Sequence, residues 1–250
     1  MSTISPIAPV PVIDLHVHSV YSDGSMTVEE ILEVANRRGY LVGIADHASR
    51  EDKIIHDAHL LSYLDALDKF PVYRSLELDV ELGSDISASC LARLDYLIVG
   101  VHFLTLDGIQ TFFWDPLAVI SDAERFVEAY VSAATAAMGN MRMNIFAHPT
   151  LLPIALRGES NALWTRDRVR RLVRAAVENH VALEISGHWQ VPGPVVIEEG
   201  LRQGATFSIG SDGHSPDSVC DLAYPLAIVR QFGIGPHQLY VPRRRLAALV

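Results

Sequence analysis

The sequence predicts an α/β fold in which a parallel sheet closes into a barrel. Short aliphatic or β-branched runs alternate with longer amphipathic stretches along the chain, the order that builds a parallel sheet. Nearly every one of those runs ends in a histidine or a carboxylate, and a closed barrel brings all its strand ends to one face. At 250 residues, 49% of them hydrophobic, the chain has the length and apolar content of one such domain.

The elements follow in order. Strands are expected at Val12–His16, Leu41–Ala45, Val72–Val80, Tyr96–Val101, Met143–Ala147, Val181–Ile185 and Thr206–Gly210. Helical patterns lie between and after them, at Val28–Arg38, Leu60–Lys69, Leu117–Met138, Thr165–Asn179, Pro194–Gln203 and Asp217–Gln231. Thr27, Thr165 and Asp217 have the side chains of N-caps, and Gly39, Gly139 and Gly204 stand where C-cap glycines belong. The alternation is weakest between Glu81 and Asp95. No repeat or Pro/Gly/Ser-rich linker divides the chain, so one domain over 1–250 is expected.

Composition narrows the function. A formal charge of −10 argues against nucleic acid as the main partner, because phosphate backbones are bound through clustered Lys and Arg. The basic clusters at Arg166–Arg174 and Arg243–Arg245 read as a solvated helix face and a surface turn. Cys90 and Cys220 have no Cys-x-x-Cys spacing and read as ordinary thiols. The N-terminus lacks a signal-peptide pattern, and the most apolar stretch, Tyr96–Leu106, is too short to span a bilayer. A cytoplasmic protein without membrane contact is expected. No pattern reports an oligomeric state.

The strand ends carry the chemistry. His16 and His18 are two apart on a strand and share a face; Asp46–His47, Glu77, His102, His148, Glu184 with His188, and Asp212 with His214 close the later strands. Seven of the eleven histidines fall at or just past predicted strand ends, and His56, His59, His180 and His237 do not. A catalytic zinc takes three protein ligands plus water, so this many candidates points to two or three divalent ions. Mixed imidazole and carboxylate donors suit Zn, Mn or Fe. Such ions acidify a bound water and attract an anionic substrate into an acidic protein. There is no Gly-x-Ser-x-Gly elbow, Walker A loop or dinucleotide fingerprint, which leaves activated water as the simplest nucleophile.

The motifs Asp14-Leu15-His16-Val17-His18-Ser19, Ser22-Asp23-Gly24, Ala45-Asp46-His47, Leu76-Glu77, Gly100-Val101-His102, Ala147-His148-Pro149 and Gly210-Ser211-Asp212-Gly213-His214 occur in an order and at spacings that resemble the PHP (polymerase and histidinol phosphatase) family. The resemblance covers about residues 12–230. It implies a distorted (βα)7 barrel and a phosphoesterase acting on a small phosphorylated metabolite. It also implies three metal sites. His16, His18, Glu77 and Asp212 would hold the first; Glu77 would bridge to a second with His102 and His148; Asp23, His47 and His214 would hold the third. Glu77, Asp212 and His214 are the expected catalytic set. Asp23 stands where some members have histidine. The stretch Ser186-Gly187-His188-Trp189-Gln190 lacks the arginine that family members acting on histidinol phosphate tend to have there, which argues against that substrate.

Phosphate contacts are therefore expected from Arg157 or His188, and the pocket wall from Asp107–Asp115, with Phe112, Phe113 and Trp114, and from Leu151–Trp164. Three other readings are kept open: a PHP-type exonuclease, an amidohydrolase-like hydrolase, and a catalytically silent metal-binding PHP domain. The amidohydrolases usually need a carbamylated lysine at strand four, where this chain has His102; its only lysines are Lys53 and Lys69.

Overall fold

A computed structural model describes residues 12–49, 52–82 and 84–243. Seven parallel strands run in the order β1 (Ile13–Val17), β2 (Leu41–His47), β3 (Tyr73–Asp79), β4 (Ile98–Gly100), β7 (Ile145–Phe146), β8 (Ala182–Ser186) and β9 (Phe207–Gly210). Each predicted strand is present, with its ends moved by up to two residues. Strictly sequential order with parallel pairing requires each connection to cross over on the outside.

The connections include α1 (Val28–Arg38), α2 (Asp57–Leu67), the short α3 (Ala88–Leu91), α4 (Ala123–Asn140), the short α5 (Ser160–Leu163), α6 (Arg166–Glu178) and α7 (Pro194–Gln203); α8 (Ala223–Phe232) follows β9. Helix α1 shows why the local sequence folds as it does. Thr27 accepts from the Glu30 amide, Glu30 accepts in return from Thr27, and Gly39 ends the helix at φ +70°. The Thr165 hydroxyl accepts from the Arg168 amide to cap α6, and Gly204 closes α7.

Two cap expectations and three helix starts are corrected, and the smallest shift is in α2, which begins at Asp57 and not at Leu60. Gly139 lies inside α4, which runs on to Asn140. That helix starts later than Leu117, because the Asp122 carboxylate accepts from the Arg125 amide and fixes the N-terminus there. Asp217 caps nothing: the Ser215 and Ser218 hydroxyls build a turn instead. Cys220 then takes φ +59°, and α8 starts only after Leu222.

The sheet closes where its first and last strands meet. The Asp212 amide donates to the His16 carbonyl at 2.7 Å and the His18 amide to the Gly213 carbonyl at 3.0 Å. Asp14, fully buried, accepts from the Ser211 and His16 amides across the same seam. The result is one α/β domain with a nearly closed, distorted (βα)7 barrel. Two apolar layers hold it: a large one that includes the inward faces of α1, α4, α6 and α7, and a small one of Ile13, Leu15, Ala45, Tyr96, Ile98 and Ile145 among others. Tyr96 fits only because Gly43 faces it; a Cβ there would lie 2.0 Å from the phenolic oxygen.

An antiparallel hairpin not foreseen as strands follows β4. Strands β5 (Phe103–Leu106) and β6 (Ile109–Phe112) are joined by Asp107 and Gly108, both at positive φ. Two left-handed central residues match the twist of the flanking strands. Among the described residues no helix is long and apolar enough to cross a membrane.

Candidate metal centre

Parallel strands end together, so the residues at their C-terminal ends face one space. His16 and His18 come from β1 and the turn after it, His47 ends β2, Glu77 lies on β3, and His102 and His148 follow β4 and β7. Asp212 and His214 follow β9, and Asp23 comes from the loop after β1. The structure brings all nine together.

Glu77 is the hub, and it is 1% exposed. One oxygen lies 3.1 Å from His16 Nε2, 3.4 Å from His18 Nε2 and 3.3 Å from His47 Nδ1. The other lies 3.2 Å from the Nε2 atoms of both His102 and His148. Asp212 Oδ1 stands 3.3 Å from His18 Nε2, and Asp23 reaches His214 Nε2 at 3.3 Å and His47 Nε2 at 3.7 Å. Ligand-type atoms cluster within 4.8 Å of one another in three overlapping groups: His18, Asp23, His47 and His214; His16, His18 and Asp212; His47, Glu77 and His102. His148 belongs to none of these groups, but its Nε2 is within 3.2 Å of Glu77 and His102. Close approach requires Gly100, where a Cβ would lie 2.9 Å from both Glu77 and His102.

Facing ring nitrogens are the informative feature. The Nε2 atoms of His16 and His18 are 3.0 Å apart, and those of His102 and His148 are 3.2 Å apart. Two imidazoles so placed either share a proton or aim two lone pairs at one electron acceptor. The remote nitrogens are fixed: His16 Nδ1 bonds Glu184 at 2.7 Å, His102 Nδ1 bonds Asp79 at 2.9 Å, and His214 Nδ1 bonds the Asp212 carbonyl at 2.9 Å. Donation from Nδ1 leaves Nε2 free to act as a ligand, the usual arrangement behind metal-bound histidine. The donor set therefore fits divalent cations.

Without ions, the same carboxylates favour protons on some of these rings, which a cation would displace. Burial disfavours the His18 cation, yet hydrogen bonds to Asp212 and Glu77 raise its pKa to about 9. His102, also opposed by burial, is raised to about 10 by Glu77 and Asp79. His47 goes the other way, to about 3, through burial and the neighbouring His18 charge. Although burial opposes ionisation of Glu77 and Asp212, His16 and its neighbours hold both well below the ordinary carboxylate range. These carboxylates stay anionic at neutral pH, ready for cations.

Residues outside the nine expected ligands support the centre. Glu184, 1% exposed, accepts from His16 and from the His148 amide at 2.6 Å. Asp79 accepts from the His102 ring and amide; its signal was spacing, two residues beyond Glu77 on one strand face. Asp46 takes bonds from the Ser19 amide and the Ser19 and Ser22 hydroxyls, pinning the loop that carries Asp23. Trp189 donates its indole N–H to Asp212 Oδ2 at 2.7 Å, and no local pattern announces it.

A cavity of about 510 Å³ opens above the cluster. Its wall includes Phe112 and Trp114 from the expected segment, but Phe113 is 1% exposed and packs into the core. Residues 151–164 do not line it. Arg157 and His188 do not line it either; both contact Trp189, which does. The Arg157 guanidinium lies 4.9 Å from the Trp189 ring centroid and donates to the Leu152 and Phe113 carbonyls. His188 sits edge-on to Trp189, with ring centroids 4.4 Å apart.

The chain is similar to several known proteins. The chain is 26% identical over 243 residues to a protein described as a probable phosphatase of Syntrophotalea carbinolica, covering 91% of this chain and 90% of that one. It is 24% identical over 235 residues to the DNA polymerase/3′-5′ exonuclease PolX of Bacillus subtilis, covering 87% of this chain but 37% of that protein's length. The crystal structure of histidinol phosphate phosphatase from Lactococcus lactis, complexed with zinc, L-histidinol and phosphate, superposes with a TM-score of 0.67 at 18% identity, covering 90% of this chain and 94% of that one. The PHP domain family model matches residues 14–188, and the chain belongs to that family.

Proposed function

We propose that the protein is a metal-dependent phosphoesterase that hydrolyses a small phosphorylated metabolite. The observation that carries this reading is the set of facing Nε2 atoms around a doubly used Glu77 at the mouth of the barrel. An anion enters an acidic cavity only if cations meet it there, and none of the described lining residues is Lys or Arg.

His16, His18, Glu77 and Asp212 would hold one ion, Glu77, His102 and His148 a second, and Asp23, His47 and His214 a third. Zn, Mn and Fe suit these donors. When bound, such ions supply a water of lowered pKa and neutralise charge on the phosphoryl group. The chain's own residues do the rest. Glu77 divides its two oxygens between two sets of imidazoles, as a bridging carboxylate must. Trp189 holds Asp212 Oδ2, which turns Oδ1 toward His16 and His18. Glu77, Asp212 and His214 line the cavity and form the catalytic set. Arg157 and His188 act on the substrate side by bracing Trp189.

The test joins metal analysis to turnover. Two to three divalent ions per chain are expected, lost with activity on chelation, and the Zn- or Mn-loaded protein should hydrolyse members of a panel of phosphomonoesters and diesters. Glu77→Gln keeps the shape but removes the charge, and should lower the rate at least ~100-fold together with metal content. A fully loaded parent inert toward the whole panel, or a fully metallated and active Glu77→Gln enzyme, would overturn the proposal. Turnover confined to diesters would favour the exonuclease reading.

A further inference from the structure

Asp23 differs from the other eight expected ligands. It lies in the loop after β1, and its side chain is 54% exposed, whereas the next most exposed, that of His214, is 32%. A ligand at a strand end inherits its position from the sheet; a ligand on a loop needs contacts of its own. Part of that support is internal. The Ser22 and Gly24 amides donate to the Ser19 carbonyl, the Val20 amide to the Met26 carbonyl, and the Ser25 amide to the His214 carbonyl. Asp46 holds the Ser19 and Ser22 hydroxyls. The Val20 and Ser22 carbonyls take no part in these bonds.

One side chain gathers both. The Lys53 ammonium donates to the Val20 carbonyl at 2.9 Å and to the Ser22 carbonyl at 3.0 Å. Lys53 comes from the segment between β2 and α2, 31 positions beyond Ser22, next to Asp52 of the cavity wall. An ammonium has three donors and no acceptor, which suits it to collect carbonyl oxygens. The Ser22 carbonyl belongs to the planar peptide from which Asp23 starts. Fixing that oxygen fixes the plane, and with it the direction in which the Asp23 side chain leaves the loop.

We propose that Lys53 is a positioning residue that holds this loop in the form that presents Asp23 to the third ion. The proposal rests on the three-ion reading above. Two other roles for Lys53 have different signatures. Through charge alone, loss of a positive group here would tighten a cation held by the loop, by Coulomb's law. A general role in folding would weaken all three ions together.

Zinc titration of the apoprotein against a chelating dye separates these cases. The parent should take up three ions, and Asp23→Asn identifies the one held by the loop. Lys53→Met should weaken that ion about 10-fold and leave the other two within about twofold. Lys53→Arg, whose fork of donors can still span two carbonyls, should restore most of the loss. Thermal unfolding of the apoproteins checks that both variants fold. Hydrogen exchange at the Ser22, Gly24 and Ser25 amides, read without metal, should quicken ~10-fold in Lys53→Met and little in Lys53→Arg. If Asp23→Asn binds as many ions as the parent but exchange responds in this way, Lys53 still positions the loop and the three-ion reading falls. A third ion that is unchanged or tighter in Lys53→Met, a loss spread evenly over three ions, or unchanged exchange overturns the proposal.

Discussion

His16 is completely buried, and its Nδ1 is held by a carboxylate that is itself buried. Removing the charge of that partner isolates its role. Glu184→Gln should keep the fold but let the His16 ring change tautomer, weakening metal binding about 10- to 100-fold; metal titration against a chelating dye measures it. Equal affinity in the variant would limit Glu184 to packing. Asp14 behaves differently, because burial raises its pKa from 3.8 to about 6, and bonds from Ser211 only partly oppose this. The unfolded chain loses that proton near pH 4 while the folded chain keeps it to about pH 6. The contribution of Asp14 to stability is therefore best below about pH 4 and falls until about pH 6. With EDTA present, the unfolding free energy of the parent minus that of Asp14→Asn should drop by up to about 3 kcal/mol between pH 4 and 7. A pH-independent difference would mean that Asp14 is not the group responsible. The convergence of His16, His18, Glu77 and Asp212 is legible in sequence because strand ends must meet. Glu184 is legible as a strand-end carboxylate but its bond to His16 is not, and Trp189 is not legible at all, since these contacts join residues 168 and 23 positions apart.

At the scale of elements, α1 is foreseen to the residue because its stop and start signals are chemical. Thr27→Ala removes one arm of the capping box and should cost about 1 kcal/mol. Denaturant unfolding reads this, and an unchanged midpoint would place the signal in the tertiary contacts of α1 instead. The β5–β6 hairpin carries an equally chemical signal, Asp107-Gly108 between Phe-Leu-Thr-Leu and Ile-Gln-Thr-Phe. It escapes a reading by alternating elements, because the apolar run from Tyr96 to Leu106 is continuous and hides the break at His102. Asp217 misleads for the opposite reason. Its side chain suits a cap, but the backbone turn set by Ser215 and Ser218 and the left-handed Cys220 leave it no helix to start.

The whole molecule is a ring of strands that meets itself at one join, between β1 and the segment after β9. Among the described residues that join rests on backbone bonds from Asp212 to His16 and from His18 to Gly213, and on Asp14, which accepts from the Ser211 amide. The side chains of the same residues, His16, His18 and Asp212, would share an ion. Asp212 stands 196 positions beyond His16 in the chain. A cation held by both is thus a clasp that ties the two ends of the fold, and in a chain-entropy picture a link closing so long a loop contributes on the order of 5 kcal/mol. Stripping the ions should then do more than stop turnover. Hydrogen exchange should quicken first at the Asp212 and His18 amides, while the bonds between β2 and β3 on the far side of the ring keep their protection. If chelation instead loosens every strand pair alike, the join is no weaker than the rest of the ring, and the ions serve chemistry alone.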